Sequence, residues 1–162
     1  MDFEYNIYLV RAQNELQLSI MVQKISDDKK MQVEIFGMKE DTYYSATISH
    51  AYYSIFYAAK AYLLLKGIKT QAPEEHKKTF DEFSKFVDKG TVDIELLKIY
   101  RNMLMRADTL LHIFALEKGK RGKFTYRRIP QANQEPACES ITNAQIFFNN
   151  IFGLCKKLSE KK

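Results

Sequence analysis

No glycine or proline falls before Gly37, none lies between Gly37 and Gly67, and none lies between Gly90 and Gly119. These two residue types end or break helices, so stretches of that length without them favour long helices over short strands and tight turns. The whole chain of 162 residues holds only 6 Gly and 3 Pro. A chain of this size suits one domain, residues 1–162, with a real buried core.

Apolar residues recur at helical spacing inside these stretches. A first helix is expected over 4–27, where Ile7, Val10, Asn14, Leu18 and Val22 fall near that spacing. The next segment, "MQVEIFGMKED" (31–41), reads either as a continuation of the helix or as a short extended piece ending at Gly37. The clearest helix begins near Asp41 or Thr42, either of which can cap it, and ends at Leu65 or Lys66 before Gly67. Ile48, Tyr52, Ile55, Phe56, Ala59 and Leu63 give it a continuous apolar stripe.

Pro73 is expected to open a third helix, with Glu74 and Glu75 in a first turn where the helix dipole favours acid, and Gly90 to end it. A fourth is expected over 93–117, with Leu97, Tyr100, Leu104, Ala107, Leu111 and Phe114 as its packing stripe and Gly119 and Gly122 as its stop. A long loop of about 118–136 and a final helix of about 137–158 complete the chain. No strand alternation and no repeat appear. The expected fold is an all-α, up-and-down bundle of about five helices.

Several function classes lose support at once. No apolar run approaches the roughly 18 residues a membrane span needs. The opening "MDFEYNIY" lacks the basic-then-apolar pattern of a signal peptide, which predicts a cytoplasmic protein. Cys138 and Cys155 show no metal or redox spacing and read as two reduced thiols of the last helix. No HExxH or paired-cysteine motif points to zinc, and no glycine-rich loop points to a Walker-type nucleotidase. No cofactor is expected. The net charge of +5 suits an acidic partner and an ordinary protein surface alike, so its distribution matters more.

Two segments could carry chemistry. The first is "RNMLMRADTLLHIF" (101–114). On a helix, Arg101, Met105, Asp108 and His112 lie within about 60° of one another, along the edge of the apolar face. Asp108 and His112 are placed to pair, which would raise the histidine pKa and orient the ring. Arg106 points elsewhere, about 120° from His112. A working site would use His112 as general acid or base and an arginine to stabilise charge on phosphorus, with the RNA 2′-OH as nucleophile and no metal. The plainer reading is an edge-of-core ion pair, and spacing alone favours it.

The second segment is "KGKRGKFTYRR" (118–128). Its basic residues are Lys118, Lys120, Arg121, Lys123, Arg127 and Arg128, interleaved with Phe124 and Tyr126 and free of acid. Lysine and arginine would contact phosphates, and a ring such as Tyr126 could stack on an unpaired base. A solvated basic loop is as good a reading of the segment alone. The aromatic run at 49–67 puts His50, Tyr53 and Tyr57 on one face, which packing explains better than ligand binding. His76, in "PEEHKKTF", reads as a surface or loop-packing residue.

The segment "SHAYYSIFYAAKAYLLLKGIKTQAPEEHKKTFDEFSKFV" (49–87) resembles the HEPN family of small helical bundles, and "RNMLMRADTLLH" (101–112) resembles that family's next signature. "RAQNEL" (11–16) is similar to its first helix, so the resemblance covers roughly residues 4–116. It implies a bundle that usually dimerises. Members act as RNA-cleaving toxins, as partners of small nucleotidyltransferases, or as parts of larger defence and RNA-processing proteins. Active members carry an arginine followed, after four to six residues, by a histidine. Arg106 and His112 meet that spacing. Arg101-Asn102 matches the commoner Arg-Asn start, but the histidine expected after it falls on Arg106, and Phe114 stands where a tyrosine would follow His112. "RAD" (106–108) is similar to a branch whose members often lack the histidine. The resemblance therefore implies one of two things. One is a metal-independent ribonuclease using His112 with Arg101 or Arg106 and with Asp108. The other is a non-catalytic module that binds RNA, a nucleotide or a nucleotidyltransferase partner.

Overall fold

A computed structural model of the chain describes residues 2–111 and 133–161. Among the described residues are five α-helices: α1 (Asp2–Asp27), α2 (Tyr44–Leu65), α3 (Glu75–Asp88), α4 (Ile94–Leu111) and α5 (Gln134–Ser159). Among the described residues there is no strand. The expected all-α bundle is what forms.

The ambiguous segment after α1 is helical only over Met31–Ile35. Asp28 accepts the backbone N–H of Met31 at 2.9 Å, and a single π-helical turn, Met31–Ile35, follows. Gly37 then reverses the chain at φ 61°, a conformation that only glycine adopts without steric cost. The side chain of Gln32 fastens this corner. Its amide nitrogen donates to the carbonyls of Ile25 (2.6 Å) and Asp41 (2.9 Å), and its oxygen accepts the Asp41 N–H at 2.8 Å.

That corner moves the start of α2. The expected caps, Asp41 and Thr42, do not cap the helix; Tyr43 occupies the cap position and supplies no side-chain bond. Asp41 is already held by Gln32, its carboxylate accepts the Thr42 N–H at 2.7 Å, and the Tyr43 N–H donates to Ser26 Oγ at 2.8 Å. Partners on α1 and on the π-helical turn replace a local cap. At the other end Gly67 stops the helix at φ 79°, as expected.

Two more boundaries shift. Pro73 precedes α3 rather than opening it, and Glu74 is the cap residue in a left-handed conformation, φ 59°. Helix α5 begins at Gln134, three residues before the expected start. Pro136 is accepted there because first-turn N–H groups have no partner within the helix. Asp93 caps α4, its carboxylate accepting the Glu95 N–H at 2.9 Å.

Helix α2 is central and touches all four other helices. Its expected stripe, Ile48, Tyr52, Ile55, Phe56, Ala59 and Leu63, is buried throughout. Ala51, Ala58, Ala59 and Ala61 are fully buried and let neighbouring helices come close. The apolar surface of α2 is thus consumed inside the bundle rather than held for a partner chain. Leu97, Tyr100, Leu104 and Ala107 of α4 and Phe147, Phe148, Ile151 and Cys155 of α5 join the same core.

Helix α1 departs from expectation. Its buried face is Leu9, Ala12, Leu16, Ser19, Gln23 and Ser26, whereas Ile7, Val10 and Leu18 lie on the exposed side. Small and polar residues face inward because α1 packs closely on α2 and is tied to it by hydrogen bonds, such as Ser19 Oγ donating to the Thr47 carbonyl at 2.8 Å.

Candidate functional site

The stripe expected on α4 is divided by the fold. Arg101 is exposed and lies with its guanidinium carbon 5.9 Å from the ring centre of Phe80 on α3. It makes no ion pair among the described residues. Met105, one turn on, is also exposed, and Asp108 is half-buried.

Arg106 points toward α5 and is fully engaged there. One terminal nitrogen donates to the Pro136 carbonyl (3.1 Å) and to Ser140 Oγ (2.8 Å), and the other donates to Glu139 Oε2 at 2.9 Å. The two arginines that the sequence left as alternatives therefore occupy different surroundings, one open and one locked into a helix contact. His112 lies outside the described residues, as do Lys118, Lys120, Arg121, Lys123, Tyr126, Arg127 and Arg128.

His76, expected as a surface or loop-packing residue, is instead half-buried against α2. His76, in the first turn of α3, shares a 2.7 Å hydrogen bond between its Nδ1 and the Tyr52 hydroxyl. Its ring stacks on Phe56 at 4.1 Å and meets Tyr53 edge-on at 5.9 Å. Burial lowers the His76 pKa; Glu75 opposes that shift and Lys60 reinforces it. The ring is thus biased toward its neutral form. Burial also pushes the Tyr52 phenol far above its usual range, with Tyr100, Tyr53 and Asp108 adding to the shift. Asp108 therefore projects its field onto the hydroxyl that holds His76. The one sequence sign of this placement is that His76 continues the α3 stripe of Thr79, Phe80, Phe83 and Val87 at helical spacing.

Neighbouring groups fix this corner. Lys60, nearly buried on α2, pairs with Glu75 and lies 4.6 Å from the ring centre of Tyr8 and 5.6 Å from that of Phe56. Phe80 and Phe83 both meet the buried Tyr100 of α4 edge-on, at 5.2 and 5.7 Å, which sets α3 against α4. Among the described residues the Tyr100 hydroxyl has no hydrogen-bond partner.

The remaining features stand apart from this corner. His50 pairs with Glu15 of α1 at 2.7 Å. A pocket of about 290 Å³ between the start of α4 and the second half of α5 is lined by Thr91, Asp93, Asn149, Asn150 and Lys157, and by none of the residues above. Among the described residues no three His, Cys, Asp or Glu side chains are grouped to hold a metal ion, and no helix is long and apolar enough to cross a membrane.

Comparison with known proteins agrees with the architecture. A family model for the HEPN domain matches residues 36–149, which include α2, α3, α4 and most of α5. Helix α1, with its "RAQNEL" segment, lies outside that match. No curated protein matches the chain.

Proposed function

The chain belongs to the HEPN domain family, and from that premise we propose that it acts on RNA as a metal-independent endoribonuclease of the toxin–antitoxin or defence kind. Membership supports a nucleotide- or RNA-related role; cleavage is the finer reading. The observation that carries it is the exposed guanidinium of Arg101, on the same helix edge as Asp108. In this reading Arg101 offsets negative charge that builds on the phosphoryl oxygens, His112 moves a proton, and Asp108 orients an imidazole. Arg106, bonded three times to α5, is the weaker choice for the charge-stabilising role.

The basic segment carrying Lys118, Lys120, Arg121, Lys123, Tyr126, Arg127 and Arg128 is proposed to hold the RNA strand. The whole chain, 1–162, would work as one unit, without a cofactor and in the cytoplasm. A homodimer is part of the proposal. The exposed apolar side of α1, with Ile7, Val10, Leu18 and Met21, offers one surface that a second copy could cover. A nucleotidyltransferase-type protein is the proposed neutralising partner.

The engagement of Arg106 favours one other reading, a non-catalytic module that binds RNA, a nucleotide or that partner, because it places half of the Arg106–His112 spacing in a structural role. One experiment separates the two. Labelled RNA is incubated with EDTA and purified wild type, Arg101→Ala or His112→Ala. Cleavage by the wild type, lost in both variants, supports the enzyme. RNA binding without cleavage supports the module.

A further inference from the structure

We propose that His76 is a proton-transfer group of the RNA-cleaving site, with Tyr52 as the residue that positions its ring. The proposal rests on the ribonuclease reading above and adds to it a residue that is distant in sequence from the α4 motif.

Three observations support the assignment. First, the ring is fixed. Nδ1 is bound to a hydroxyl buried in α2, and one face is covered by Phe56, so the imidazole has little freedom to turn. Second, Nε2 has no hydrogen-bond partner among the described residues, and the side chain is only half-buried. Third, the helix that carries His76 packs on the helix that carries Arg101 and Asp108. Phe80, one turn after His76, lies against Arg101, and the Tyr52 hydroxyl feels the charge of Asp108.

The Tyr52 contact is compatible with the tautomer a base requires: when Nδ1–H donates to the phenol oxygen, the lone pair lies on Nε2. The charged groups that bear on the ring are Glu75 of α3 and Lys60 of α2, and they pair with each other. Tyr53 of α2 touches the ring as a neutral phenol, its pKa raised by burial.

The step balances without a metal or a redox partner. Nε2 takes the proton of the RNA 2′-OH. The 2′-oxygen bonds to the adjacent phosphorus, and the bond from phosphorus to the 5′-oxygen breaks. The leaving 5′-oxygen takes a proton from water, and the imidazolium returns its proton to solvent. The products are a 2′,3′-cyclic phosphate and a 5′-hydroxyl.

The test measures cleavage of a single-stranded RNA, with EDTA, across pH 5–8. Wild type is compared with His76→Asn, His76→Gln and Tyr52→Phe, and the substrate with a copy carrying a 2′-deoxy residue at the scissile position. His76→Asn keeps an N–H near the Nδ1 position, so it preserves the Tyr52 contact and the fold while removing the base. Thermal melting of each variant verifies the fold. The expected result is a kcat lowered by roughly 100-fold or more in both His76 variants with KM little changed. The wild-type acid limb should lie below the range of an ordinary imidazole and vanish in these variants. Tyr52→Phe should lose less and shift the limb further down, since an oxygen accepting Nδ1–H favours the charged ring. The deoxy substrate should resist cleavage. A wild type that cleaves while His76→Asn keeps the same kcat and acid limb overturns the role of His76 and leaves the ribonuclease reading standing. A folded wild type that cleaves at no pH removes that reading and the role of His76 with it.

Discussion

The buried hydroxyl of Tyr52 on α2 and Nδ1 of His76 on α3 lie 2.7 Å apart, 24 residues apart in the chain. The contact joins the central helix of the bundle to the first turn of a charged surface helix. It also fixes the orientation of a half-buried imidazole against the aromatic face of α2. Four consequences of this arrangement and its surroundings can be measured.

Stability should depend on pH through His76. Its folded pKa lies below the ordinary 6.5, so the unfolded chain takes up the proton at a higher pH than the folded one. The stability contributed by the neutral ring is present above about 6.5 and is lost as the pH falls from there through the folded value. Urea midpoints at pH 7.5 and 5.5 should fall more steeply for wild type than for His76→Asn. Equal slopes would show that the ring is not desolvated.

The two arginines of α4 should separate by role. Arg106→Met removes bonds to Pro136, Ser140 and Glu139, and should cost about 1–2 kcal/mol after allowance for the exposed Glu139. Arg101→Met loses the approach to the Phe80 ring and should stay within about 0.5 kcal/mol of wild type. Equilibrium unfolding of both variants reads this directly. A larger loss from Arg101→Met would reverse the assignment.

The pair of Lys60 and Glu75 should be asymmetric. The Lys60 side chain is 7% exposed and Glu75 32%. Glu75→Gln leaves an ammonium group buried without its anion, at a cost of about 2–4 kcal/mol. Lys60→Met instead frees a carboxylate that can reach water, and should cost under about 1 kcal/mol. Similar losses in the two variants would mean that Lys60 finds water as readily as Glu75.

The thiols should differ in reactivity. Burial pushes the Cys155 thiol up to about 12, so almost no thiolate exists at pH 8, whereas Cys138 is exposed. Native protein should take up one equivalent of an alkylating reagent by mass, and denatured protein two. Rapid double labelling of the native state would show that α5 opens locally.

Much of the fold was legible from the chain itself. The absence of breakers before Gly37, and between Gly37 and Gly67, set long helices, and the Tyr52-centred stripe of α2 and the Tyr100-centred stripe of α4 marked the core. Both patterns are local, because a helix repeats every few residues whatever surrounds it. Helix α1 was not legible in this way. Apolar residues lie on more than one side of it, and close packing on α2 selected the face with Ala12, Ser19 and Ser26 over the face with Ile7 and Val10. The cap of α2 failed for a similar reason, since Gln32 and Ser26 claimed the backbone that Asp41 or Thr42 would have served.

For the site, the sequence alone determined that Arg101 and Asp108 share the edge of α4; His112, expected there by spacing, lies outside the described residues. The tertiary structure decided which partners they meet. Arg106 finds Ser140, 34 residues away, and His76 finds Tyr52. Helical periodicity fixes the direction of a side chain relative to its own axis, but distances between axes depend on how the helices pack. Hydrogen bonds and pKa shifts fall off over a few ångströms, so the chemistry of this surface depends on that packing.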